Sequence, residues 1–265
     1  MQNTGRADVS ICELDGALRA RIAERYRIGR SYASIDEALT SEWDAAVIAT
    51  PAHLHIPMAN QLADGGTPML IEKPLSTQLN GIDELMRKVG ERKLPAVVAY
   101  VLRTHPGLRA VKAALDSRRF GCPLQLRLIA GQHFPTFRPA YREIYYADRA
   151  TGGGAIQDAI THYFNAGEWL VGPITRMAVD AAHQLLEGVV VEDTVNALVR
   201  HGRVMGSYSL NQYQAPNESS LSVVCQAGTV RWELHEQAWS WMDKPNSGWH
   251  VEPAVVKERD DHFIR

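Results

Sequence analysis

Residues 44–55 read DAAVIATPAHLH and residues 67–74 read TPMLIEKP, and these two stretches decide the fold of the first third of the chain. In each, a short apolar run ends abruptly in a turn, at Thr50-Pro51 in the first and at Glu72-Lys73-Pro74 in the second. Apolar runs bounded by turn residues are typical of strands buried on both faces of a parallel sheet. Both turns are therefore expected at the same carboxyl edge of one sheet.

Helical patterns alternate with these strands over the first hundred residues, which predicts a parallel sheet with right-handed crossovers. A strand-like segment at 7–13 ends in Glu13, and AVVAY (96–100) closes the series. The rhythm then changes. Helical patterns at about 105–118 and 155–171 are followed by strand-like runs at 174–183, 193–201, 203–212, 219–226 and 229–234.

The sequence therefore predicts an α/β fold with two domains. Residues 1–100 are expected to form a partial Rossmann-like domain, and residues 101–265 an α+β domain with a large, mostly antiparallel sheet. Such a sheet can leave one face free for a partner.

The composition is that of an ordinary globular protein, with 265 residues, 45% hydrophobic, 22% charged and a net charge of −2. The near-neutral charge argues against a nucleic-acid or polybasic membrane role, and no apolar run is long enough to predict a membrane span. The three cysteines are far apart and form no Cys-x-x-Cys pair, so reduced thiols and a cytoplasmic location are expected.

The turns at the sheet edge are the first candidate site. In open parallel sheets, ligands bind beyond the carboxyl ends of the strands, so Thr50, Pro51 and His55 face the expected cleft. Pro74 restricts the backbone of Lys73, the residue before it, so the lysine side chain is expected to project from a defined position. Glu72 lies next to Lys73 and can influence its charge. The alternative for the turn at Thr50 is an ordinary capped turn, and the alternative for Glu72-Lys73 is an exposed ion pair. The pattern His53-x-His55 lacks a third ligand, so no metal site is predicted.

Asp158 and His162 form the second candidate site, four residues apart on the helix that follows Gly152-Gly153-Gly154. A histidine near a carboxylate is a common acid–base pair, although this spacing also occurs in ordinary surface contacts. The glycines are expected to let the helix begin close to a ligand. Glu13, at a strand end, suits the ribose hydroxyls of NAD and disfavours the extra phosphate of NADP.

Taken in order, these motifs resemble the Gfo/Idh/MocA oxidoreductases, the glucose–fructose oxidoreductase and inositol dehydrogenase group. The matching stretches are AAVIATPAHLH, GGTPMLIEKPLS, AYVLRTHP, YREIYYADRATGGGAIQDAITHYFNAGEWLVG and VEDTVNAL, which together cover nearly the whole chain. The resemblance implies an NAD(P)-binding Rossmann domain joined to a substrate domain, and hydride transfer between nicotinamide and a sugar or polyol.

The resemblance also implies roles for particular residues. Lys73, Asp158 and His162 match the catalytic residues of the family, with His162 as general base. Further positions match in two groups. The expected cofactor contacts are Glu13, Thr50, Pro51, His55, Glu72, Lys73, Pro74 and Arg103. The expected substrate contacts are Arg138, Tyr141, Arg142 and Tyr146. NAD is the expected cofactor, with NADP less favoured, and a homo-oligomer through the second sheet is expected by analogy.

The sequence departs from the family pattern in three places. The family opens with a strand and a Gly-x-Gly-x-x-Gly turn, and no such motif precedes Glu13. The chain is therefore interpreted as truncated at its N-terminus, with a gap of about 10 Å where the first strand would lie. DDHFIR (260–265) reads as the start of a final helix, so a short C-terminus is also expected, and Asn165 stands where the family often has an acidic residue.

Two alternatives to a dehydrogenase stay open at this point. One is an NAD-assisted glycoside hydrolase of the same family, and the other is a non-catalytic remnant that binds sugar or dimerises.

Overall fold

The computed structural model describes residues 5–256 and divides the chain into two compact units. The first consists mainly of residues up to Thr50 and Leu54–Val98, and the second of Ala99 onward together with Pro51–His53.

The first unit alternates short strands and helices. Its strands are β1 (Ile11–Cys12), β2 (Ser31–Tyr32), β3 (Ala46–Ile48), β4 (Met69–Ile71) and β5 (Ala96–Val98). Its helices are α1 (Gly16–Tyr26), α2 (Ile35–Ala38), α3 (His55–Asp64) and α4 (Ile82–Arg92).

All strand pairs of the first unit are parallel, as the sequence predicts. They form two sheets: β1 pairs with β2, and β3, β4 and β5 form a separate sheet in that order. Within the described residues β1 and β3 do not pair, and the gap expected between them stays a prediction. The strand predicted at 7–13 is shorter than expected, since only Ile11–Cys12 pairs.

The prediction that β3 is buried on both faces is wrong. Ile48 is buried in a core with α3 and α4, but Val47 is 64% exposed and Val97, its neighbour but one in the sheet, is 59% exposed. The apolar composition of these strands gives no sign of which face is covered, because the helices that cover a sheet are set by the tertiary fold.

The second unit is built on an eight-stranded sheet. Its strands are β6 (Pro123–Gly131), β7 (Arg176–Ala182), β8 (Thr194–His201), β9 (Val204–Asn211), β10 (Glu218–Cys225), β11 (Gly228–Glu233), β12 (Ala238–Met242) and β13 (His250–Pro253). The strand order is β13-β12-β11-β10-β6-β9-β8-β7, and every neighbouring pair is antiparallel except β6 with β9. The sequence analysis missed β12 and β13.

Helices cover one face of this sheet. They are α5 (Pro106–Asp116) and α7 (Thr161–Val171), which is preceded by a π-helical segment at Ile156–Ile160. α5 packs on β11 and β12 and α7 on β6, around a core that includes Trp232, Leu126 and Tyr208. The short α6 (Phe134–Phe137) follows β6, and three 3-10 turns follow α6, at Pro139–Arg142, Tyr145–Ala147 and Arg149–Thr151. The final helix predicted at 260–265 lies outside the described residues.

The other face of the sheet is open. Side chains alternate along each strand, so one set points away from the helices. Among this set Leu198 is 69% exposed, Met205 52% and Ile129 50%. A shallow concavity of about 460 Å³ lies on this face between Arg127, Asp180, Leu198 and Ser207.

Candidate functional site

The turns after β3 and β4 lie at one edge of the first sheet. Ile48 and Ile71 are paired in register at the carboxyl ends of the parallel strands, so Thr50 and Glu72 follow at the same edge. The Lys73–Pro74 peptide is cis, and the Glu72 carboxylate accepts a hydrogen bond from the Lys73 N–H (3.1 Å). Lys73 is half-buried.

His55 ties these two turns together. The ring is 1% exposed, with Nδ1 2.9 Å from the carbonyl oxygen of Pro74 and Nε2 2.8 Å from that of Thr50. A carbonyl oxygen can only accept, so each contact is a hydrogen bond only where the ring nitrogen carries a hydrogen. In this arrangement His55 shapes the turns, and its predicted contact with the cofactor stays a prediction. Pro51 is exposed beside Thr50.

Glu13 follows β1, as predicted, and is partly engaged within its own turn. Its carboxylate accepts from the Asp15 N–H (2.9 Å). The Asp15 carboxylate in turn caps α1, and the N–H groups of Leu18 and Ala17 lower its pKa. Because a carboxylate already occupies the N-terminus of α1, that helix end is not a phosphate site.

Several polar side chains lie around the start of α7 in the second unit. The ring of Tyr100 lies edge-on to His162, with centroids 5.8 Å apart. Arg103 donates through Nε to Asn165 Oδ1 (2.8 Å), one helical turn beyond His162. Burial raises the pKa of Tyr100, with smaller opposing effects from Thr161 and Arg103. Arg103, predicted to bind the cofactor, thus lies beside the helix that carries His162.

Asp158 lies in the π-helical segment and is 4% exposed. The Tyr145 hydroxyl donates to Asp158 Oδ1 (2.6 Å), and Arg138 Nη1 lies 3.7 Å from Oδ2. Arg138 is therefore the predicted substrate-binding residue that the structure brings to Asp158.

The other predicted substrate residues lie elsewhere in this segment. Tyr141 and Tyr146 are each 1% exposed and pack with Phe134. The Tyr141 hydroxyl donates to the carbonyl of Glu187 (2.7 Å), which Arg142 also contacts through Nε (2.8 Å). Their predicted contact with substrate stays a prediction.

Tyr145 and Tyr100 are the residues that sequence reasoning missed. Tyr145 and Tyr146 are adjacent in YREIYYADR, and nothing in that pattern shows which ring enters the core. The short 3-10 turn at Tyr145–Ala147 points Tyr146 inward and leaves Tyr145 40% exposed.

The glycines before the π-helical segment lie close to other parts of the protein, and the expectation that they let the helix begin close to a ligand stays a prediction. A Cβ on Gly154 would lie 2.5 Å from Glu192 Oε1, and one on Gly153 would lie 2.2 Å from the carbonyl oxygen of Tyr146. Glu192 is 4% exposed and accepts from Arg149 Nη2 (2.6 Å) and the Ile156 N–H (3.1 Å). The glycines thus allow a buried carboxylate to hold the start of the helix that carries Asp158.

The stretch VEDTVNAL (191–198) has a similar supporting role in the second unit. Asp193 is fully buried and accepts from the N–H groups of Gln184, Leu185 and Leu186. Burial by itself would raise the pKa of Asp193, but these donors outweigh it and lower the pKa. The carboxylate therefore fixes the loop before β8.

Across residues 5–256, no group of three His, Cys, Asp or Glu side chains is arranged to hold a metal ion. Nor does any helix within that range have the length and apolarity needed to span a membrane.

The first unit has the alternating parallel strands and helices of a Rossmann-type fold, and comparison with known families agrees. The model of the oxidoreductase family with an NAD-binding Rossmann fold matches residues 5–100, and the model of the GFO/IDH/MocA C-terminal domain matches residues 108–231. The chain belongs to the Gfo/Idh/MocA oxidoreductase family.

Curated relatives are similar to this chain over part of its length. An uncharacterized oxidoreductase of Synechocystis sp. is 29% identical over 182 residues, which cover 68% of this chain and 48% of that protein. An inositol 2-dehydrogenase of Corynebacterium glutamicum is 28% identical over 174 residues, 64% of this chain and 48% of that protein. The chain thus spans about half the length of these curated relatives.

Among solved structures, the WlbA dehydrogenase from Bordetella pertussis in complex with NADH and UDP-GlcNAcA is 25% identical. It superposes with a TM-score of 0.80, covering 98% of this chain and 73% of that one.

Proposed function

We propose that this chain carries the active-site residues of an NAD-dependent oxidoreductase that transfers a hydride between nicotinamide and a sugar or polyol carbon. The observation that carries the proposal is the group at the start of α7, where His162 lies against Tyr100 while Asp158 is held by Tyr145 and Arg138. A histidine and a carboxylate on one helix start suit proton transfer to and from an alcohol.

The residues of the first unit fit the ribose side of a dinucleotide. Thr50, Glu72 and Lys73 follow parallel strands at one edge, and Glu13 follows β1. When bound, NAD supplies the hydride acceptor. We assign Thr50, Pro51, Glu72, Pro74, Arg103 and Glu13 to holding it, and the Glu13 carboxylate favours NAD over NADP because it would repel the additional phosphate.

The proton chemistry falls to the chain's own side chains. His162 removes the hydroxyl proton as the carbon is oxidised, and Lys73 places a positive charge near the oxygen as negative charge develops on it. Asp158 orients the site. Lys73 belongs to the first unit, and Asp158 and His162 belong to the second.

Binding and turnover test the proposal separately. Nicotinamide fluorescence should rise on titration of NADH, and NAD reduction with myo-inositol or D-xylose should fall by a factor of about 10²–10⁴ in His162→Ala. His235→Ala, a change in the turn between β11 and β12, is the matched control and should retain activity within twofold. A chain that binds no NADH, or a His162→Ala variant as active as the wild type, would show the proposal to be wrong.

The open face of the eight-stranded sheet supports a second, independent proposal, a homodimer formed face to face. Leu198, Met205 and Ile129 are at least half exposed among small polar side chains such as Ser207 and Ser209. An apolar patch with a polar surround is typical of an interface. Leu198→Glu should halve the mass measured by sedimentation, whereas Val190→Glu, at an 89% exposed position off the sheet, should leave it unchanged.

We also propose a cytoplasmic location for this protein, because its three cysteines are free thiols.

A further inference from the structure

Tyr145 and Arg138 both contact the carboxylate of Asp158. The Asp158 side chain is 3% exposed, with Tyr145 donating to one oxygen at 2.6 Å and Arg138 lying 3.7 Å from the other. Those two side chains are themselves accessible, since Tyr145 is 40% exposed and the Arg138 side chain 49%. A molecule in solvent can therefore contact Tyr145 and Arg138, whereas the Asp158 carboxylate is almost inaccessible.

The hydrogens at Tyr145 are fixed by this contact. A phenol carries one hydrogen, and Tyr145 directs it to Asp158. Its oxygen then offers only lone pairs to other groups, while Arg138 offers only N–H donors. Together, Tyr145 and Arg138 thus present one hydrogen-bond acceptor and several hydrogen-bond donors. A hydroxyl group can use both at once, whereas a carbonyl or an ether oxygen can use only the donors.

The phenol also keeps its proton. Burial and the charge of Asp158 raise the pKa of Tyr145, against a smaller opposing effect of Arg138. A general acid or base works best with a pKa near the operating pH. Tyr145 is therefore suited to recognition and not to proton transfer, and it holds the same hydrogen-bond polarity through neutral and mildly alkaline pH.

We propose that Tyr145, and not Asp158, contacts the substrate, and that Tyr145 with Arg138 selects a hydroxyl group at one position of a sugar or polyol. This substrate class rests on the proposed function. Asp158 acts through Tyr145, as a positioning residue that fixes the direction of the phenolic hydrogen.

Isothermal titration calorimetry of the whole chain with myo-inositol and its monodeoxy-monofluoro analogues tests the assignment, because fluorine cannot donate a hydrogen bond. The wild type should bind one analogue about tenfold more weakly than myo-inositol. Tyr145→Phe should bind myo-inositol about tenfold more weakly and lose that discrimination. Tyr213→Phe is the matched control. It removes a half-buried hydroxyl that accepts from Thr194, and it should behave as the wild type.

The outcomes separate this inference from the proposed function. If Tyr145→Phe discriminates among the analogues as the wild type does, the inference about Tyr145 is wrong. It is also wrong if the wild-type chain binds neither myo-inositol nor D-xylose, even where NADH binding is intact and the dehydrogenase proposal stands. If NADH does not bind, the dehydrogenase proposal fails, and the same titrations without NADH still decide the role of Tyr145.

Discussion

The two compact units each bury a histidine, and the partners of the rings differ. His55 in the first unit lies between two carbonyl oxygens, both on turns of the candidate site. His201 in the second lies between the carbonyl oxygen of Gly172 (2.7 Å) and the hydroxyl of Tyr208 (2.9 Å). A neutral ring satisfies the second pair, donating to the carbonyl and accepting from the hydroxyl. It satisfies only one contact of the first pair.

This difference shows that burial alone does not indicate what a histidine does. Each ring nitrogen of His201 has a suitable hydrogen-bond partner, as expected for a histidine that packs in the interior. The surroundings of His55 place the ring between two backbone turns, where it can fix the position of the side chains on both turns.

The largest expected effect concerns the turn that His55 holds. Lys73→Ala removes the positive charge proposed to stabilise developing charge on the substrate oxygen, and kcat/KM should fall by a factor of about 10²–10³. Lys88→Ala removes a lysine paired with Asp64 and Glu84 on the surface, and its kcat/KM should stay within twofold. Equal activity of the two variants would remove Lys73 from the mechanism.

The next effect tests how the second unit places Asp158. Gly154→Ala puts a Cβ against Glu192 at a positive φ of 89°, and the free energy of unfolding in urea should fall by about 3 kcal/mol. Gly172 has a φ of 104° and no heavy atom within 4 Å of a built Cβ. Gly172→Ala should therefore lose only about 1 kcal/mol. Similar losses in both variants would mean that the close approach of Glu192 is unimportant.

A smaller effect separates the two contacts of His55. Asn at this position can place its amide near Nδ1 and keep the contact with Pro74, whereas Gln can place its amide near Nε2 and keep that with Thr50. The variant that removes the donated contact should lose about 1–2 kcal/mol of unfolding free energy, since one buried carbonyl loses its donor, and the other variant should lose less. Because Pro74 directly follows Lys73 in the same turn, His55→Gln should reduce kcat more than His55→Asn does. The opposite ranking would contradict the role given to the Pro74 contact.

The smallest effect is a pH dependence in the second unit. Burial lowers the pKa of His201 from its ordinary value of 6.5, despite opposing effects of Gly172 and Glu168. As the pH falls through 6.5, the unfolded chain therefore takes up a proton that the folded ring resists, and the free energy of unfolding decreases. The decrease ends below the folded pKa.

Urea unfolding between pH 8 and pH 5 measures this dependence. His201→Gln should lower stability at every pH but show a shallower decrease than the wild type across this range. A variant with an unchanged slope would assign the wild-type dependence to other groups.

The order of secondary structure could be read from sequence patterns because those patterns are local. The turns after β3 and β4 follow from apolar runs that stop at Thr50-Pro51 and Glu72-Lys73-Pro74, and the five strands predicted after residue 174 are present. β12 was missed because AWSWM is buried on both sides and Ser240 is its one polar residue, so the stretch lacks the regular polar–apolar alternation of a half-exposed strand.

What the sequence determined by itself was the family, the alternation of strands and helices, and the positions of Lys73, Asp158 and His162 along the chain. Only the tertiary structure decided the rest. It buried His55 between two turns, left Val47 exposed, turned Tyr146 into the core and laid Tyr145 over Asp158. These outcomes depend on which distant surfaces pack together, and a contact between residues far apart in the chain leaves no local pattern in the sequence.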